Sequence, residues 1–151
     1  MKKILTLLFL INITILYAQN EPLSIQGEWK IISVDSGDMY LNTKTDSVSM
    51  SNQFKEVFSD SLKLVEVVNV AKLTYKNNIM TFAENGIFTQ TYDPKIVWTG
   101  TYKINPSESK ISVTTKDASW EMDYKIIDEL LYLKMGLYDK KTEFVLEQIG
   151  K

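Results

Sequence analysis

The sequence predicts a mainly all-β fold, an eight-stranded antiparallel up-and-down barrel with one helix inserted after the first strand. Three observations predict it. One segment near residue 30 and seven segments from residue 73 onward carry apolar residues on alternate positions, the signature of a strand with one buried face. Short turn signals separate the seven, at the roughly ten-residue spacing of sequential hairpins. Between the first strand and the rest, apolar residues recur at helical steps. Eight strands joined this way close on themselves and so remove exposed edges.

Met1-Lys2-Lys3 is a short positive lead, and Ile4 to Tyr17 is an apolar run ending at Ala18. Residues 1–18 therefore read as a secretory signal peptide, and residues 19–151 as the barrel domain. The run is shorter than the roughly 20 residues a membrane span needs, so the chain is not expected to span a membrane. No cysteine stands at the cleavage position to carry a lipid. The expected location is exported, periplasmic or secreted, in a bacterium.

Ile25 to Val34 is the first strand, with Ile25, Gly27, Trp29 and Ile31 on one face, and Asp35-Ser36-Gly37-Asp38 ends it. Met39 to Asn52 is polar and without period, and reads as a surface loop. Phe54, Val57, Phe58, Leu62 and Val65 form a helical stripe, with Ser51 or Asn52 as its cap. This helix is expected to pack across one barrel mouth. Val67 to Ala71 either extends the helix or begins a strand. Leu73 to Ala83 reads as a strand that Asn77-Asn78 interrupts. Asn85-Gly86 is a hairpin turn, where glycine supplies the positive φ. The remaining strands are Ile87 to Tyr92, Ile96 to Ile104, Lys110 to Thr115, Trp120 to Ile126, Leu131 to Met135 and Thr142 to Ile149.

Composition removes several function classes. The 151 residues include no His and no Cys, and all 17 basic residues are lysine. Ser-His-Asp and Cys-His nucleophile systems are impossible, as are His/Cys zinc sites and disulfides. A net charge of −2 with dispersed lysines gives no basic face for nucleic acid. Glu121 and Asp123 share a strand face, but beside Lys125 they read as solvated. Asp35, Asp38 and Asp46 lack the ligand spacing of a calcium loop and read as turn residues. No catalytic residue, metal or cofactor is expected.

Ile25-Gln26-Gly27-Glu28-Trp29 resembles the first-strand Gly-x-Trp signature of lipocalins. Met80 to Phe88, with its Glu84-Asn85-Gly86 turn, also fits the small exported lipocalin-like (calycin-type) domains of bacteria. So do Gly100-Thr101-Tyr102-Lys103-Ile104, the Asp128-Glu129-Leu130-Leu131-Tyr132-Leu133 entry and a last strand bearing Phe144. The resemblance covers nearly all of residues 19–151. It implies that Gly27 and Trp29 are structural, with Trp29 plugging the closed end. This chain lacks the arginine that such proteins commonly pack over that tryptophan.

An eight-stranded barrel either fills its interior with side chains or holds one small ligand. Trp98, Tyr102, Trp120, Met122 and Tyr124 fall on two inward faces and are the candidate ligand-binding residues. The expected function is non-enzymatic binding of a small hydrophobic ligand in the barrel. The alternative is a protein-interaction module (inhibitor, immunity or envelope-assembly factor) with a filled barrel and a protein partner.

Overall fold

Seven of the eight period-two segments run as an antiparallel meander in the computed structural model, which describes residues 24–58, 60–93, 96–137 and 140–150. They are β4 (Ile79–Phe82), β5 (Ile87–Asp93), β6 (Ile96–Asn105), β7 (Lys110–Thr115), β8 (Ser119–Ile127), β9 (Leu130–Leu137) and β10 (Lys140–Gln148). Each pairs with the next, and β1 (Gly27–Asp35) pairs with both β10 and β4, so eight strands close a barrel. The signal-peptide segment, residues 1–18, lies outside the described residues. Among the described residues no helix is long and apolar enough to cross a membrane.

Alternation places the core as expected. Trp29 and Ile31 of β1, Met80 and Phe82 of β4, Phe88 of β5, Leu131 and Leu133 of β9, and Phe144 and Leu146 of β10 are all buried. Full burial of such a side chain contributes about 1.5–3 kcal/mol. A bulge between Ile31 and Ser33 shifts β1 by one residue, which turns Val34 inward.

One end of the barrel is closed. Trp29 is 2% exposed, and its indole Nε1 donates to the Ile25 carbonyl at 2.6 Å. Gly27 has φ +129°, and a Cβ there would stand 2.5 Å from Gln148 Nε2. Both facts demand glycine two residues before the tryptophan, which gives the Gly-x-Trp pattern a steric cause. At the same end Gly86 takes φ +79° in the β4–β5 turn.

The surface loop expected over 39–52 is instead largely a hairpin, β2 (Met39–Asn42) and β3 (Ser47–Met50). It forms because β4 is only four residues long against nine in β1. β4 pairs with Gly27–Lys30, which leaves the upper part of that β1 edge open. β2 takes it over at Ser33–Asp35. Burial of Leu41, 1% exposed, holds the hairpin down.

The helical insertion is present but divided. α1 (Asn52–Val57) is capped by Ser51, whose Oγ accepts from Phe54 N at 3.1 Å. α2 (Ser61–Lys76) is capped by Asp60, whose Oδ1 accepts from Leu62 N at 2.9 Å. Two expectations are corrected by the structure. Val57, Leu62 and Val65 do not face the barrel but stand exposed. The turned-in side is Leu64, Val67, Val68, Ala71 and Tyr75, all half-buried. Leu73 to Lys76 is helix, not strand, and β4 begins only at Ile79. α2 descends to the notch above β4 and touches β1 and β5 there. Lys72 Nζ ties it to Asp46 Oδ2 of the hairpin turn at 2.9 Å.

Candidate functional site

The end of the barrel opposite Trp29 holds a cavity of about 330 Å³. Strand alternation brings Met80, Phe88, Met122 and Phe144 into it from four different strands, and Met135 joins them from β9. Four aromatic rings rim the opening: Tyr75 of α2, Tyr92 of β5, Trp98 of β6 and Trp120 of β8. They meet each other and the lining edge-on or tilted. Trp98 lies 5.2 Å from Tyr92, Trp120 lies 6.1 Å from Phe88, and Tyr75 lies 6.3 Å from Phe144. Trp98 remains 49% exposed, so the rim opens to solvent. The β7–β8 turn at Ala118 and Ser119 completes it.

One wall is polar. Gln90, 6% exposed, lines the cavity, and its Nε2 donates to Asn78 Oδ1 at 3.2 Å. Asn78 is wholly buried in the notch between α2 and β4. Its backbone is satisfied: the amide donates to the Tyr75 carbonyl, and the carbonyl accepts from Ile31 N. Its side-chain Nδ2 has no hydrogen-bond partner among the described residues. The Tyr92 hydroxyl stands beside this amide. Burial pushes the Tyr75 and Tyr92 hydroxyls above the ordinary tyrosine value. At Tyr92 the nearby Tyr75 adds to the rise, and the Asn78 amide opposes it. Both are protonated at neutral pH. Among the described residues no lining residue carries a charge.

Of the residues predicted from sequence, Trp98, Trp120 and Met122 come together in this cavity. Tyr102 and Tyr124 face inward but do not reach it. Tyr102 lies four residues beyond Trp98 on β6 and Tyr124 four beyond Trp120 on β8, about 13 Å along the strand. The Tyr102 hydroxyl donates to the Ala83 carbonyl at 2.8 Å, and its ring packs edge-on against Phe82 at 5.2 Å. Tyr124 is partly buried against the core, level with the β6–β7 turn, where its backbone N donates to the Ser109 carbonyl. Gln90 and Tyr92 were missed although they alternate with Phe88 in one segment. Tyr75 and Asn78 were missed because Leu73 to Ala83 reads as an interrupted strand, whereas Tyr75 lies on α2 and Asn78 in the turn before β4.

The carboxylates weighed as catalytic or metal-binding groups are engaged elsewhere. Glu121 accepts from Ser112 and pairs with Lys110 on the outer face. Asp35 accepts from Gly37 N, Asp38 pairs with Lys140, and Asp46 pairs with Lys72.

The architecture is shared with a solved protein. The crystal structure of a DUF4847 family protein from Bacteroides vulgatus superposes with a TM-score of 0.52 at 12% identity, covering 83% of this chain and 94% of that one. At that identity the likeness shows the fold alone. No protein-family model matches the chain, and no curated protein matches it. The chain is a closed eight-stranded antiparallel barrel, with a cavity at the end away from its Gly-x-Trp strand.

Proposed function

We propose that this chain is an exported, lipocalin-like binding protein that holds one small hydrophobic ligand in its barrel, without catalysis. The apolar cavity opposite Trp29 carries the proposal. Its volume of about 330 Å³ lies in the range of small-molecule sites. Its lining of aromatic and methionine side chains, with few polar groups, is the composition that such sites use. Binding draws on burial of the ligand's apolar surface, at about 25 cal/mol per Å². Among the described residues the rim carries aromatic, methionine and amide side chains, and no carboxylate or lysine.

The test is titration of residues 19–151 with N-phenyl-1-naphthylamine, a neutral apolar dye that fluoresces when taken out of water. Saturable enhancement at one dye per chain, with quenching of tryptophan emission from Trp98 and Trp120, is expected. Absence of saturable binding refutes the proposal.

One observation favours the alternative of a protein-interaction module. Leu62, Val65 and Leu73 stand on α2 at 78%, 56% and 66% exposure, an apolar face turned away from the barrel. Native mass spectrometry of protein taken from its host envelope separates the two. Extra mass lost on organic extraction supports the carrier, and a stoichiometric protein adduct supports the module.

A further inference from the structure

We propose that a stack of three rings, Phe88, Phe82 and Tyr102, floors the cavity and limits its ligand to an apolar chain of about eight carbons, so that a long-chain lipid tail is not taken in whole. The inference rests on the cavity being a binding site and names the size class of its occupant.

The floor lies at one level of the closed sheet. Met80, Met122 and Phe144 line the cavity, and the next inward positions on the same strands, Phe82 of β4, Tyr124 of β8 and Leu146 of β10, do not. On β5 the lining runs from Tyr92 at the rim through Gln90 to Phe88. That length of strand covers about 13 Å, or about 10 Å of height at the usual tilt of barrel strands. An extended chain advances about 1.25 Å per carbon, from a bond of about 1.52 Å and an angle of about 111°, so about eight carbons span the depth.

Beneath that level the interior is closed by rings that hold one another. Phe88 meets Phe82 at 5.3 Å between centroids, and Phe82 meets Tyr102 edge-on at 5.2 Å. Phe82 is 0% exposed. The Tyr102 hydroxyl donates to the Ala83 carbonyl at 2.8 Å, which fixes the last ring to the β4–β5 turn. Further carbons enter only by pushing Phe88 into this stack. Overpacking a filled core costs more than burying one methylene gains, so the extra carbons stay at the rim, largely in water.

The probe is the series of straight-chain primary alkanols from hexanol to tetradecanol, each titrated against protein loaded with N-phenyl-1-naphthylamine. Burial of one methylene tightens binding about fourfold. Displacement of the dye strengthens by that factor per carbon up to about eight carbons, and by less than about 1.5-fold per carbon beyond about ten. Phe88→Ala removes the top ring of the stack and moves the break to longer chains by about two carbons. Should that variant not fold, Phe88→Leu moves it in the same direction by about one carbon.

A constant step of about fourfold per carbon through tetradecanol overturns this inference and leaves the cavity reading standing. A break that stays in place when Phe88 is truncated does the same. Failure of the dye to bind at all refutes the cavity reading, and this inference with it.

Discussion

Gly27→Ala separates backbone strain from crowding at the closed end. The residue has φ +129°, where an L side chain is strained by about 1–3 kcal/mol. The added Cβ also meets Gln148 Nε2 at 2.5 Å. That side chain is flexible and can move away. Moving it breaks the bond from Gln148 Nε2 to the Gln26 carbonyl, now 3.2 Å, and forfeits about 0.5–1.5 kcal/mol. The two costs sum to about 3 kcal/mol, a large share of the roughly 5–15 kcal/mol that holds a domain folded.

The assay is urea unfolding at 25 °C, followed by tryptophan emission, for the single variants and for Gly27→Ala, Gln148→Ala together. Gln148→Ala alone costs about 1 kcal/mol. In its background Gly27→Ala still costs about 2 kcal/mol, because the strain in φ persists when the crowding is gone. Dye affinity stays within about twofold, since Gly27 is at the opposite end from the cavity. A Gly27→Ala cost below about 1 kcal/mol, or one that vanishes when Gln148 is truncated, refutes the backbone explanation of the Gly-x-Trp pattern.

Met135→Trp puts a larger ring into the cavity and lowers affinity for N-phenyl-1-naphthylamine by more than about tenfold, read by dye titration. Trp29→Phe keeps an aromatic ring but leaves the Ile25 carbonyl without its 2.6 Å donor, at a cost of about 1–3 kcal/mol in urea unfolding. Burial raises Tyr75, Tyr92 and Tyr102 above 10.0. A raised value means the folded state holds the proton more tightly. Their contribution is therefore complete below pH 10 and is lost as pH climbs through the raised values. Thermal unfolding monitored from pH 8 to pH 11.5 falls steeply at the alkaline end, and less steeply for Tyr75→Phe, Tyr92→Phe.

The strands were legible because period two is a direct consequence of a wall with one buried face. Their turns were legible where chemistry forces them, as at Asn85-Gly86. The β2–β3 hairpin was not. Its strands are four residues each, too short to show a period, and they exist because β4 leaves part of the β1 edge unpaired. The stripe Phe54 to Val65 pointed to the wrong face of the helix. Apolar residues lie on both sides of α2, and tertiary contact chooses between them. For the site, alternation told which residues point inward but not at what height. Trp98 and Tyr102 share a face of β6, yet Trp98 pairs with Gln90 at the rim and Tyr102 with Val113 near the base. Only the register of the closed sheet separates them.

The same register accounts for a cavity at one end and a filled core at the other. At the base the strands are continuous all round, and Trp29, Phe82 and Leu131 fill the space between them with almost no exposure. Toward the rim β4 has not yet begun, so one sector of the wall is made by α2 and the hairpin instead. A helix is thicker than a strand and cannot continue the ladder. Its Tyr75 ring packs against Phe144, and Asn78 follows as the chain turns into β4. The buried amide is therefore a consequence of the short strand: the backbone must cross the notch, and its polar groups must be satisfied there. Ile31 and Tyr75 satisfy the backbone of Asn78, and Gln90 satisfies one end of its side chain.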